Sequence, residues 1–262
     1  MKLNRSLLLI VLLALLATGA LAQDTPWKGA YLGGYAGAGI GGSDARLTTI
    51  FSPTGYFATT SPPAIAALSP QHPDSTNFIG GVQAGYNHQY KTVPVVLGIE
   101  ADFGSLHRSE SRTGTGTYPC CAPTGFTVTQ TVSAGWLATV RPRLGYAHGK
   151  ALVYATAGLA VSDFGYRGVF TDTFATASES GRSTNNKLGW TVGGGLEYIF
   201  HPHWSLKGEY LYADFAGSSG GAHVRSTNLT AFSPPIPFPT NVFTHKADLR
   251  LNMVRFGMNY HF

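Results

Sequence analysis

Charge is scarce in this chain. Only 12% of its 262 residues are Asp, Glu, Lys or Arg, about half the share of an ordinary soluble domain. That scarcity excludes a Lys/Glu-rich helical bundle, a coiled coil, and a chain kept disordered by charge and low hydrophobicity. Beyond residue 22 no apolar run reaches the ~20 residues that a membrane-crossing helix needs. There is no Gly-x-Ser-x-Gly elbow, no His-Glu-x-x-His and no phosphate-cradling loop followed by Lys-Ser/Thr. The sequence therefore names no catalytic, cofactor-binding or metal-binding residue. Positive charge is thin as well: the formal net charge is +5. It falls to +3 once Lys2 and Arg5 are set aside, which is no basic patch and excludes nucleic acid as a partner.

Glycine is abundant, at 33 residues, and aromatics make up 12%. This mixture suits a β-protein with an aromatic-studded surface, and the length fits one barrel or sandwich. The first 22 residues read as a secretory signal. Lys2 and Arg5 precede the apolar run Leu7–Leu16, and Ala20-Leu21-Ala22 forms an Ala-x-Ala-like cleavage site. The expected organisation is a signal peptide over 1–22 and one β-barrel domain over 23–262.

A secreted chain without apolar helices still crosses a membrane if its strands close into a barrel, because closure pairs every backbone polar group. The test is period-two alternation. Val254, Phe256, Met258, Tyr260 and Phe262 oppose Arg255, Gly257, Asn259 and His261. The same pattern runs through Phe78–Tyr90, Leu97–Phe103, Trp136–Tyr146, Leu188–Phe200 and Trp204–Tyr212. Tyr31–Ile40 and Ala151–Val161 are weaker and complete a count of eight. Tight turns at 90–94, 147–150 and 200–203 alternate with long polar stretches at roughly 42–76, 106–130, 164–186 and 216–247, which read as loops. Short turns at one rim and long loops at the other are the outer-membrane arrangement. The expectation is an all-β fold: an eight-stranded antiparallel up-and-down transmembrane β-barrel. A soluble lipocalin-like barrel would need the opposite polarity.

Several segments make a family likeness specific. They are Trp27-Lys28-Gly29-Ala30-Tyr31, Gly80–Asn87, Gly98–Asp102, Arg141–Tyr146, Gly189–Tyr198 and Val254–Phe262. Together, and in this order, they resemble the opacity/OmpA-like small outer-membrane barrels, most of all the porin-family surface proteins of Brucella and the rhizobia. The resemblance implies a location in the cell outer membrane, with outer-membrane lipid around the wall. It also implies that Tyr260 and the terminal Phe262 form a signal to the barrel-assembly machinery.

The face opposite the aromatic rows carries Glu100, Asp102, Glu197 and Glu209 against Arg141, Arg143, Lys207 and Arg255. An eight-stranded bore is just wide enough to be filled by side chains. Four negative and four positive residues there must pair, since an isolated buried charge is costly. They read as a structural ion-pair plug. Cys120 and Cys121 are neighbours in a long loop, and three states are open to them: a vicinal disulfide, free thiols or an intermolecular link. His201 and His203 flank Pro202 without a third metal ligand nearby. His72, His107, His223 and His245 lie in or beside the long loops, where sequence cannot bring them together.

The functional expectation is a structural barrel that supports envelope integrity and displays four long loops to a host or environmental ligand. The alternatives are a lipid A-modifying enzyme, a low-conductance porin and a haem-binding surface protein. The enzyme would need a lipid-facing His near a Ser or carboxylate at the outer rim, whereas His88 sits toward the opposite end.

Overall fold

The computed structural model describes residues 26–72, 74–216 and 221–262. The signal-peptide expectation falls outside them. The elements run β1 Gly29–Thr49, α1 Ser61–Leu68, β2 Asp74–Gln89, β3 Val95–Thr117, β4 Gly125–His148, β5 Ala151–Asp172, β6 Ser178–His201 and β7 Trp204–Phe215. After them come β8 Ala222–Ser226, β9 Thr230–Ala231, β10 Ile236–Pro237 and β11 Phe243–His261. Consecutive strands from β1 to β7 pair antiparallel, β7 pairs β11, and β11 returns to β1. Eight strands thus form a closed ring, which leaves no sheet edge for lipid to meet.

The ring is far taller than a bilayer needs. A tilted strand crosses in about 9–11 residues, yet β3 has 23 residues, β4 has 24, β5 has 22 and β6 has 24. The lower half carries the apolar belt: Leu188, Trp190, Val192, Leu196, Tyr198 and Phe200 of β6 are exposed, as are Val254, Phe256 and Met258 of β11 and Phe262 just after it. In the upper half the polarity inverts. On β4, Phe126, Val128, Val132 and Ala134 are buried in the bore, while Thr127, Thr129, Thr131 and Ser133 face out. Water replaces lipid as the outer solvent, so alternation survives with its signs exchanged.

This corrects the expectation of four long loops at 42–76, 106–130, 164–186 and 216–247. Most of 106–130 and of 164–186 extends the barrel wall, as do the ends of 42–76 and 216–247. Strand β4 also shifts phase at Gly135–Trp136, where its register against β3 and β5 slips. The Asp163 carboxylate accepts from both freed amides there, at 2.7 and 2.8 Å.

The described parts of the remaining connections, 50–72, 118–124, 173–177 and 221–242, fold onto one another as a lid. Phe57, Ile65, Tyr118, Phe126, Phe170, Leu229 and Phe243 form its core. Asp172 is the polar hub. It accepts from the Tyr56 hydroxyl at 2.5 Å, the Tyr118 hydroxyl at 3.1 Å and the Ala177 amide at 2.8 Å. Burial, together with the adjacent Asp172 carboxylate, pushes the ionisation of both phenols well above the usual tyrosine range.

Candidate functional site

The candidate site is the bore, which is filled in layers. At the end near the tight turns, Trp27, Val96, Ala147, Leu152, Tyr154 and Ile199 pack together. Above them lies an ionic layer containing all eight charges singled out from the sequence. Six of them sit directly opposite a partner on the neighbouring strand: Glu100 faces Arg141, Glu209 faces Arg255 and Glu197 faces Lys207. The contacts themselves also criss-cross the bore. Arg141 reaches Glu100 at 2.6 Å, Asp102 at 2.8 Å and Glu209 at 3.2 Å. Arg143 crosses to Glu197 at 2.7 Å. Lys207 bypasses the residue beside it and takes Glu100 at 2.7 Å. Arg255 joins Asp102 at 3.1 Å and also holds Glu209.

Neutral side chains complete the layer, and the sequence reading did not assign them. Tyr31 donates to Glu100 at 2.6 Å and Tyr154 to Glu209 at 2.9 Å. Thr139 donates to Asp102 at 2.5 Å, while Ser205 and Asn259 donate to Glu197 at 2.6 and 2.7 Å. The Arg143 guanidinium lies 3.9 Å from the Tyr154 ring centre, and Arg255 lies 4.2 Å from that of Tyr35. The signal for Tyr31 and Tyr35 was their odd phase along β1, which the surrounding glycines obscure. Those glycines are what admit the rings: a Cβ on Gly85 would sit 2.4 Å from the Tyr31 ring.

An apolar layer follows, with Phe164, Leu211, Phe215, Leu249, Leu251 and Met253 at its centre. Above it a polar chain crosses the bore. Gln130 donates to the Ser69 carbonyl at 2.7 Å, and Tyr166 donates to Gln130 at 3.0 Å. His245 lies 3.2 Å from the Tyr166 hydroxyl and 3.1 Å from Glu179. The directly paired Gly168 and Gly181 form the flat wall on which the imidazole rests. A Cβ at either would come within 2.5 Å of the ring. Of the loop histidines, then, His245 is a buried wall residue. His72 bonds Asp44 at 2.7 Å on the surface, and His107 and His223 are exposed elsewhere.

Cys120 and Cys121 are joined as a vicinal disulfide in the lid. Tyr260 packs its ring against Trp204 and His203, and Phe262 is exposed with its amide bonded to the Ala30 carbonyl at 3.0 Å. His88 is exposed on the lower wall beside Tyr90. His203 bonds the His261 carbonyl at 3.0 Å.

A closed antiparallel ring with an apolar belt outside and a polar layer inside defines a transmembrane β-barrel of the outer-membrane kind. The chain belongs to the outer membrane protein beta-barrel domain family, whose model matches residues 8–262. It is 39% identical over 142 residues to the 31 kDa outer-membrane immunogenic protein of Brucella melitensis, covering 52% of this chain and 53% of that protein. It is 28% identical over 138 residues to a 22 kDa outer membrane protein of Rhizobium leguminosarum, covering 53% of each. The chain thus matches about half the length of these relatives. Among solved structures, the attachment invasion locus protein Ail of Yersinia pestis aligns with 87% of this chain and 99% of its own, at 13% identity and a TM-score of 0.32. The outer membrane protease OmpT of Escherichia coli aligns with 94% of this chain and 100% of its own, at 9% identity and a TM-score of 0.44.

Proposed function

We propose that this outer-membrane barrel is a closed structural protein that carries a rigid, folded turret above the membrane for contact with the environment or a host. It is not an enzyme in this reading. The observation that carries it is the filled bore: an ionic layer, an apolar layer, a polar chain and the lid core succeed one another along the axis. The surface available to a ligand is then the lid and the upper wall, in place of the four long loops expected from sequence. Tyr260 at the end of β11 and Phe262 just after it serve as the signal to the barrel-assembly machinery.

Planar-bilayer recording tests the closed bore. The expected result is no conductance of the kind a wide aqueous pore gives, and steady large channels would refute it. A deletion strain should leak periplasmic contents or gain detergent sensitivity while its lipid A mass spectrum stays unchanged. A lost or gained acyl group on lipid A would instead favour the enzymatic alternative.

A further inference from the structure

The upper wall carries like charges set face to face. Arg167 of β5 is paired directly with Arg182 of β6, and both are outward and exposed. Like charges directly opposite each other in an antiparallel pair are destabilising. Neither arginine has an ion-pair partner among the described residues. The contact made here is neutral, from Arg182 Nε to the Thr184 hydroxyl at 3.3 Å. The residue facing Arg167 on its other side is Thr131 of β4, so the row contains hydroxyls and no carboxylate.

The arrangement recurs at a similar height. Arg46 of β1 is paired directly with Lys246 of β11, and Lys246 with His223 of β8. All three are exposed, as is Arg225 two residues along β8. Asp44 and Asp248 lie one row nearer the lipid belt. Asp44 is already held by His72 at 2.7 Å and Arg250 at 3.2 Å, and Asp248 makes no ion pair among the described residues. Strand β8 joins the two groups into one band, because Asn228 just beyond it donates to the Ser180 carbonyl of β6 at 2.9 Å.

Position identifies the partner. Arg182 stands six residues beyond Leu188, the last outward apolar residue of β6, and Arg46 six beyond Ile40 of β1. At about 3.3 Å per residue and a strand tilt of about 40°, six residues rise roughly 15 Å above the belt. That is beyond the phosphates at the lipid boundary and level with the sugars attached to them. These side chains also point sideways from a wall, toward neighbouring lipids, and not upward toward the medium. We propose that this band binds the anionic core saccharide of the surrounding lipopolysaccharide, with the paired arginines clamping its phosphate or carboxylate groups.

The test is thermal unfolding of the purified full-length barrel in detergent at low salt, for the wild type and for an Arg167→Ser/Arg182→Ser variant. Three additives are compared: complete-core lipopolysaccharide, deep-rough lipopolysaccharide lacking the core, and a soluble sulfated oligosaccharide. Without additive, the variant should melt above the wild type, because repulsion is relieved. Complete-core glycolipid should raise the wild-type midpoint by several degrees more than the deep-rough form does, and salt should erase that difference. The variant should show no such difference. A single Arg182→Ser change and an Arg46→Ser/Lys246→Ser variant provide independent readings, along with the core sugar that copurifies with each. An equal response of variant and wild type, or a full response to the deep-rough form, overturns the proposal. A response to the soluble oligosaccharide but not to the complete core also overturns it, and identifies a soluble polyanion as the ligand.

Discussion

Arg255 shows what one residue does in a confined bore. It is almost fully buried, and its guanidinium is shared by Asp102 and Glu209 from strands on two sides. Removing it leaves two carboxylates facing each other with less positive charge between them. Breaking a buried pair this way costs about 3–5 kcal/mol. Arg255→Ala should therefore lower the unfolding temperature of the detergent-solubilised barrel. Adding Glu209→Gln should recover part of that loss, since the second change removes the negative charge left in excess, although Glu209 still meets Arg141 at 3.2 Å. A double variant no more stable than the single one would show that the residues act independently. At the other end of the same strand, Phe262 contributes its exposed ring to no buried core. Phe262→Asp should therefore reduce the amount of protein reaching the outer membrane while leaving the melting point of the assembled fraction unchanged. Normal levels of the variant would remove Phe262 from assembly.

At the scale of elements, the lid stands on hydrogen bonds that need protonated phenols. Tyr56 and Tyr118 both donate to Asp172 and are buried, so their ionisation is raised in the folded state. A raised folded value means that the stabilisation is complete below the unfolded tyrosine value of about 10. It is lost as pH climbs from there toward the folded values. Absorbance titration should find a late-ionising group of tyrosines whose deprotonation coincides with exposure of the lid to protease. Tyr56→Phe and Tyr118→Phe should each remove one phenol from that late group. If both residues ionise with the bulk, the lid does not shield them.

At the scale of the whole molecule, the barrel joins two solvent regimes in one continuous sheet. Below, lipid surrounds it and polar groups are turned inward, where they satisfy one another. Above, water surrounds it and apolar groups are turned inward into an ordinary core. The same backbone ladder serves both because strand pairing does not depend on which face is apolar. The lid then closes the upper end with a second apolar cluster, so the extramembrane half is built like a soluble barrel.

Six of the eight lipid-facing rows, the tight turns and the set of eight inward charges were legible in the sequence because each rests on a local pattern, whereas Tyr31–Ile40 and Ala151–Val161 were placed more by position than by alternation. Alternate side chains of a strand must face opposite solvents, so Val254 to Phe262 announce their wall, and Glu100 and Arg141 announce the bore. The height of the barrel was not legible. A run such as Thr127, Thr129, Thr131 and Ser133 has the composition of a loop, and only the burial of Phe126, Val128, Val132 and Ala134 between them reveals a strand in water. The phase shift at Gly135–Trp136 hides that continuity further, since an unbroken alternation would turn Val132 outward. Nor could sequence say that Lys207 takes Glu100 across the bore in preference to the facing Glu197, or that His245 meets Tyr166 and Glu179. Alternation determines on which side of the wall a residue stands. Which residues meet across the lumen depends on strand stagger and on closure of the ring, and these exist only once all eight strands are in place.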